Sequence, residues 1–336
     1  MTPLPPVPSP LADLAVVIRS GVVESRHLGS IAALAADGTV AWQTGSGEQI
    51  LPRSTVKPVQ ALACLLAGAD IDGADLAIAA GSHTGEDVHV DVVRDLLTRA
   101  GLDEDALACP VDWPEDEPTR ERLIRDGEQR SRVRMNCSGK HAAMLLACAV
   151  NGWDTATYLD PSHPLQQLVR STLERLSGET VAYDAVDGCG APLFSVSPLG
   201  IARIFRALVT AAPGTPERKV ADAMRSYPRF VGGDHHANTD AMLRVPGLLS
   251  KGGAEGVIGM ATADGASVSM KILDGNPRAT TLVALSVLEA LGADISNAGD
   301  LIDLPILGGG VPVGSIEVGA DVRTWLDTVP TADTAP

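Results

Sequence analysis

A serine and a lysine stand three positions apart in the segment PRSTVKPVQ at 52–60. The segment leads into an apolar helical run, so Ser54 and Lys57 share one face of a predicted helix start. A buried, desolvated lysine amine can remove the serine proton and create a nucleophile, as in SxxK enzymes that transfer acyl groups. A helix-capping serine followed by a surface lysine has the same spacing, and the pair alone favours that structural interpretation.

Two other segments contain residues of the same types. GSHTGEDVHV at 81–90 follows the apolar run LAIAA and precedes a helix, which predicts a strand-to-loop connection that exposes Ser82 and His83. Lys271 lies between apolar residues of a predicted strand, where it faces a cleft or protects a sheet edge from aggregation. Burial can lower the pKa of a lysine amine toward neutral pH, whereas arginine stays charged. Four of the five lysines lie in Gly-, Ser- or Pro-punctuated segments: Lys57, Lys140, Lys251 and Lys271.

Cysteine and glycine occur together in two turns, NCSGKH at 136–141 and DGCGAP at 187–192. Thiolates bind zinc, and two cysteines with a neutral lysine or water form a feasible site if the metal displaces the lysine proton. A catalytic cysteine activated by Lys140 or His141 at a helix N-terminus is one alternative. Two inert turn cysteines are the other.

The elements that position these residues fall into three blocks. Residues 13–44 predict strands, residues 55–245 predict mainly helices between Gly and Pro breakers, and residues 256–322 predict a second hairpin, a helix and a short strand. The predicted fold class is α/β (α+β), with an antiparallel sheet of N- and C-terminal strands, covering helices and an inserted helical subdomain. The predicted boundaries are a sheet-containing domain at 11–73 with 245–328, a mainly helical domain at 74–244, and disordered tails at 1–10 and 329–336.

Composition excludes several classes of partner. The formal net charge is -16 and the pI is near 4.7, which argues against surfaces that neutralise nucleic-acid phosphates or anionic lipids. The N-terminal segment has neither the basic region nor the apolar run of a signal peptide, so we expect a cytoplasmic protein without a membrane span. Five cysteines without a CxxC pair predict thiols or ligands rather than disulfides.

Eight motifs together resemble the class 3, thermolabile type of bacterial L-asparaginase, in that family's order from about residue 14 to about residue 290. They are VESRHLGS at 23, PRSTVKP at 52, SHTGE at 82, NCSGKH at 136, SHPLQQ at 162, DGCGAP at 187, KGGAEGV at 251 and KILDGNPRA at 271. The resemblance implies a fold similar to that of serine β-lactamases and serine-dependent glutaminases.

The resemblance also implies two serine-lysine tandems and a zinc site in one cleft. By motif, the tandems map to Ser54 with Lys57 and to Ser82 with Lys271. The zinc ligands map to Cys137, Lys140 and Cys189, with Asp187 and His141 as supporting groups. The residues expected to bind substrate are Arg53, His83, Asp187 and Gly253.

The expected reaction is hydrolysis of L-asparagine to L-aspartate and ammonia through an acyl-enzyme. Ser54 is expected to attack while Lys57 takes its proton, and Ser82 with Lys271 is expected to relay a proton to the leaving ammonia. Zinc is expected to position the substrate, and the resemblance suggests a homodimer. The alternatives are a glutaminase or penicillin-type SxxK acyl hydrolase, and a non-catalytic amino-acid sensor.

Overall fold

Strands from both ends of the chain form one antiparallel sheet in the computed structural model, which describes residues 10–45 and 47–329. In chain order the strands are β1 Ala12–Arg19, β2 Val22–Leu34, β3 Val40–Gln43, β4 Asp184–Val186, β5 Pro192–Phe194, β6 Leu249–Gly253, β7 Val257–Ala261, β8 Ser267–Ile272, β9 Leu304–Gly308 and β10 Val311–Val318. The sheet order is β6-β7-β8-β2-β1-β10-β9, with β3 paired to β2. β4 and β5 pair separately.

Helices occupy most of the chain between β3 and β6. The described residues contain α1 Lys57–Leu66, α2 Gly73–Ala79, α3 Asp87–Arg99, α4 Glu117–Arg125, α5 Ser138–Asn151, α6 Pro164–Ser177, α7 Pro198–Thr210, α8 Pro216–Ser226, α9 Pro228–Gly232, α10 Ala237–Arg244, α11 Thr280–Ala290, α12 Gly299–Ile302 and α13 Ala320–Leu326. None of them combines the length and the apolar character needed to cross a membrane.

The predicted architecture is confirmed. The sheet draws its strands from both chain ends, and the helical insertion lies between them, as the periodicity indicated. The Asp37-Gly38 pair forms the hairpin turn between β2 and β3, and the Asp264-Gly265 pair forms the one between β7 and β8. Gly38 has φ +90° and Gly265 has φ +102°, a region that favours glycine. The turn sequences therefore specified both hairpins.

The strand-to-loop prediction before Ser82 is wrong, because the apolar run LAIAA is the end of helix α2. Asp72 caps this helix by accepting a hydrogen bond from the Gly73 backbone N–H at 2.7 Å. Leu76 and the three residues after it are buried. A short apolar run has no exposed face to reveal its period, so its sequence pattern suits a buried helix as well as a buried strand.

Buried apolar side chains form two clusters. One includes Val59, Leu145 and Phe205 among the helices, and the other includes Ile31 and Leu285 between the sheet and α11. The first cluster includes residues of α1, which the predicted boundaries assign to the sheet-containing domain. The division into domains stays a prediction. The tails predicted at 1–10 and 329–336 lie outside the described residues, apart from residues 10 and 329.

Candidate active site

A cavity of about 510 Å³ runs along β6, the edge strand of the sheet. This volume falls in the range of about 300–1,000 Å³ typical of small-molecule sites. Both predicted serines contribute to its wall, together with backbone and side chains from the helical part of the chain. Its polar lining includes Ser54, Ser82, Glu115, Asn136, Asn238 and Lys251.

Ser54 is presented by a 3-10 turn, Arg53–Val56, that leads into α1. Arg53 has φ +52°, a left-handed conformation that costs a residue other than glycine about 1–3 kcal/mol and that concentrates at functional sites. The side chain of Ser54 is half-buried and reaches the cavity. The local backbone strain thus falls on the residue immediately before the predicted nucleophile.

The serine turn packs directly on Gly253 of β6. A Cβ atom at Gly253 would lie 2.7 Å from Thr55 Oγ1 and 2.9 Å from the Pro52 carbonyl oxygen. We therefore expect Gly253→Ala to destabilise the protein by about 1–3 kcal/mol and to lower its melting temperature. Gly252→Ala is the matched control, because its Cβ would first meet Asn238 Oδ1 at 3.4 Å. Equal losses of thermal stability in the two variants would contradict this role for Gly253, which also lines the cavity.

Lys57 is fully buried and joins the serine turn to the loop before α3. Its Nζ donates to the Gly81 carbonyl at 2.6 Å, to Ser82 Oγ at 2.9 Å and to the Asn136 carbonyl at 3.3 Å. Three acceptors match the three N–H donors of an ammonium group. Among the hydrogen bonds of the described residues, none joins Lys57 to Ser54. The lysine of the first predicted tandem is therefore paired with the serine of the second.

Lys271 does not assemble with Ser82 in the structure, contrary to the predicted tandem. It lies on β8, two strands behind the edge strand, and its Nζ donates to the backbone carbonyls of Glu255 and Ile272. No hydrogen bond between Lys271 and Ser82 occurs within residues 47–329, and Lys271 does not contribute to the cavity wall. Its amine instead ties β8 to the turn between β6 and β7.

Lys251 lines the same cavity as the two serines, and it was not among the predicted site residues. Its side chain on β6 is 1% exposed and lines the cavity. Burial, reinforced by the nearby charge of Lys57, lowers the pKa of Lys251 to about 7. The sequence signal was the placement of Lys251 beside two glycines, which singles it out without indicating which way it faces.

His83 and Arg53 hold the loops of the site rather than face the cavity. The sequence predicted an exposed His83, but this residue is fully buried. Its Nε2 contacts Ser138 Oγ at 2.9 Å, and its Nδ1 accepts a hydrogen bond from the Gly85 N–H at 3.1 Å. Burial lowers the pKa of His83, which keeps the ring neutral. Arg53 Nε donates to Asp187 Oδ1 at 2.7 Å. These three predicted substrate ligands, His83, Arg53 and Asp187, therefore have partners within the protein.

The two cysteine turns meet at the start of α5. Lys140 Nζ lies 3.2 Å from Cys189 Sγ, and Cys137, Lys140 and Cys189 are all at most 3% exposed. The neighbouring Cys137 thiol and the Lys140 charge lower the pKa of Cys189, whereas the neighbouring Cys189 sulfur and burial raise the pKa of Cys137. The Cys137 thiol itself donates to Asn136 Oδ1 at 3.1 Å. Burial opposes the charge on Lys140, but the Cys189 and Cys137 sulfurs raise its pKa. The cluster can thus hold one thiolate against one ammonium.

The donor set of this cluster fits zinc when Lys140 is one of the ligands. Thiolates are good zinc ligands, and a lysine amine can bind once the metal has displaced its proton. His141 contributes a buried Nε2 atom without a hydrogen-bond partner in the described structure, while its Nδ1 contacts Tyr158 Oη at 2.6 Å. No group of three or more His, Cys, Asp or Glu residues suited to a metal occurs in the ranges 10–45 and 47–329. The Lys140 amine is therefore needed to complete a set of three zinc ligands.

Comparisons with known proteins identify one family. The profile of the L-asparaginase II family matches residues 15–318. No curated protein sequence matches the chain significantly.

Solved structures similar to the chain include three bacterial proteins. A putative β-lactamase from Bacteroides dorei is 12% identical over 73% of this chain and 84% of its own, with a TM-score of 0.41. A Bacillus glutaminase is 13% identical over 78% and 88%, with a TM-score of 0.41. A β-lactamase from Mycobacterium bovis is 14% identical over 82% and 95%, with a TM-score of 0.40. The likeness is too distant to support an argument about this chain's chemistry.

Proposed function

Because the chain belongs to the L-asparaginase II family, which supports an amidohydrolase-type function, we propose that it hydrolyses L-asparagine to L-aspartate and ammonia as a class 3, thermolabile-type enzyme. The observation that carries this proposal is the meeting of Ser54, Ser82 and Lys251 in one cavity, with Lys57 bonded to Ser82. Two hydroxyls and two buried amines supply what acyl transfer to serine requires. A cytoplasmic location and a homodimeric assembly stay predictions.

In the proposed mechanism Ser54 attacks the side-chain amide carbon. A base is needed to take the serine proton, and Lys57 already donates to three acceptors. Lys251 suits this role better, since its pKa of about 7 leaves much of it neutral at physiological pH. Ser82, held by Lys57, then relays the proton to the leaving nitrogen, so ammonia departs and an ester with Ser54 remains. Water hydrolyses the ester and regenerates the hydroxyl.

Zinc has a supporting place in this proposal. Cys137, Lys140 and Cys189 would hold it, with His141 and Asp187 close by. A bound zinc ion supplies Lewis-acid character and an attachment point for a substrate oxygen. The Arg53–Asp187 pair connects this cluster to the serine turn. The binding of metal and the orientation of Ser54 are thereby linked through neighbouring side chains.

The decisive experiment is ammonia release by the purified protein at neutral to alkaline pH. L-Asparagine and L-glutamine are compared at equal concentration in this assay, and a chromogenic β-lactam, whose hydrolysis releases no ammonia, is followed at the same concentration by its change in absorbance. The proposal expects fastest turnover of L-asparagine. Preference for L-glutamine or the β-lactam would transfer the assignment to the corresponding acyl hydrolase. Thermal stabilisation by L-asparagine without ammonia release would indicate an amino-acid sensor.

Removal of one sulfur ligand is expected to weaken zinc binding. In a competition titration with a colorimetric chelator, Cys189→Ala should lose more than the roughly 10- to 100-fold in affinity that loss of an outer-shell partner costs. Cys148→Ala is the control, since Cys148 is also a buried free cysteine but lies in the apolar part of α5. Equal zinc affinity in the two variants, or no binding by the unaltered protein, would refute the zinc site.

A further inference from the structure

Asn238 is a buried amide that faces the cavity from the start of α10. Its side chain is 3% exposed, and its Oδ1 accepts a hydrogen bond from the Gly252 backbone N–H at 2.7 Å. Ser250 Oγ approaches the same oxygen at 3.4 Å. None of the motifs or expected site residues includes Asn238.

The contact with Gly252 fixes the orientation of the amide. A backbone N–H can only donate, so the side-chain oxygen must face Gly252 and the nitrogen must point the other way. Asn238 Nδ2 is buried and has no hydrogen-bond partner in the described part of the chain. Buried donors are almost always paired, so an orphaned donor in a cavity wall indicates an acceptor supplied by a ligand.

We propose that Asn238 Nδ2 donates a hydrogen bond to the α-carboxylate of the substrate, which makes Asn238 a specificity-determining residue. This inference rests on the proposed function. An ionised carboxylate only accepts hydrogen bonds, whereas the α-ammonium of an amino acid only donates them and cannot pair with Nδ2. The exposed carboxylate of Glu115, on the same cavity wall, can receive the ammonium instead.

The edge strand separates the two ends of the bound amino acid. The side chains of neighbouring strand residues point to opposite faces of a sheet. Lys251 and Gly252 both line the cavity, so the cavity is in contact with both faces of β6. The scissile amide lies on the Lys251 side with the serines, and the carboxylate lies on the Asn238 side. Gly252 has no side chain to obstruct the passage between them.

The same contact disfavours peptide substrates. An exposed edge strand can pair with an extended peptide through its outward N–H groups. Asn238 already occupies the Gly252 N–H, so that donor is closed to strand addition. The edge therefore favours a free amino acid that carries its own carboxylate.

The test uses Asn238→Asp, which keeps an oxygen for Gly252 and replaces the Nδ2 donor with a second, negatively charged oxygen. KM for L-asparagine should rise roughly 10- to 100-fold, with kcat changed far less, because a charge-assisted hydrogen bond is lost. KM for 3-aminopropanamide, which is asparagine without its α-carboxylate, should not change. Ser250→Ala is the matched control, since it removes the other contact to Oδ1 and leaves Nδ2 in place; both KM values should stay the same.

Equal shifts of both KM values in Asn238→Asp, or no shift, would reduce Asn238 to a structural role and overturn the proposal. If Asn238→Asp does not fold, Asn238→Ala must give the same selective rise in KM. Calorimetric titration with L-aspartate separates this inference from the proposed function. If the unaltered protein releases no ammonia, the proposed function is wrong. Loss of L-aspartate binding in Asn238→Asp alone would still support the hydrogen bond from Asn238 to the α-carboxylate. Absence of L-aspartate binding by the unaltered protein would overturn the inference as well.

Discussion

Replacement of Ser54 with alanine is expected to reduce kcat for ammonia release from L-asparagine by about 10³-fold or more. The change removes the proposed nucleophile, and what remains is catalysis by binding and polarisation alone. Stability should hardly change, because the Ser54 side chain is half-buried and makes no hydrogen bond among the described residues. Steady-state kinetics with a fixed-time ammonia assay measures the loss, and calorimetry should show that L-asparagine still binds.

Ser82→Ala separates nucleophilic attack from proton transfer. Its loss of kcat should be about 10²-fold, the lower end of the contribution of a positioned acid–base group. The slowed step is the departure of ammonia, which precedes the ester, so no aspartyl ester should accumulate on Ser54 when the reaction is quenched and analysed by peptide mass spectrometry. If Ser54→Ala keeps most of the turnover, and the ester is found on Ser82, the two serines must exchange roles. The hydrogen bond between Lys57 and Ser82 makes that reversed outcome chemically coherent.

Much of the fold followed from local sequence patterns. Asp-Gly pairs, apolar periodicity and Gly and Pro breakers specified both hairpins and most of the helices, because these signals act within one element. The exception, α2, is an apolar segment buried all along its second half, where an amphipathic period cannot develop. Helices α12 and α13 were also absent from the prediction, since they are short.

The site was only partly predictable, because the direction of a side chain depends on strand register and packing. Lys251 and Lys271 both flank the second hairpin, and only the register of β6, β7 and β8 places the first on the edge strand and the second behind it. His83 lies in a polar loop, yet the packing of that loop against Ser138 buries it. The two cysteine-containing turns were easier to predict, because NCSGKH and DGCGAP each contain the glycines on which their turn depends.

The role proposed for Lys251 has a clear pH signature. A lysine that acts as a base must be neutral, and the pKa of Lys251 is lowered to about 7 by burial and by the Lys57 charge. The value of kcat/KM should therefore fall about tenfold per pH unit below pH 7 and level off above it. His236, which also lines the cavity, has its pKa lowered by burial to about 4, so its titration cannot produce a limb at pH 7.

Lys251→Met is expected to lower kcat by about 10²- to 10⁴-fold at pH 8 and to abolish the limb near pH 7. Methionine fills much of the buried space of lysine without an ionisable group, so the loss reports on the amine and not on a cavity. Lys219→Met is the control, because Lys219 is exposed on α8 and its replacement should leave the pH profile unchanged. A residual activity of Lys251→Met that still rises through pH 7 would assign the titration to another group. Lys57 would then become the base, and its three hydrogen bonds would have to rearrange when substrate binds.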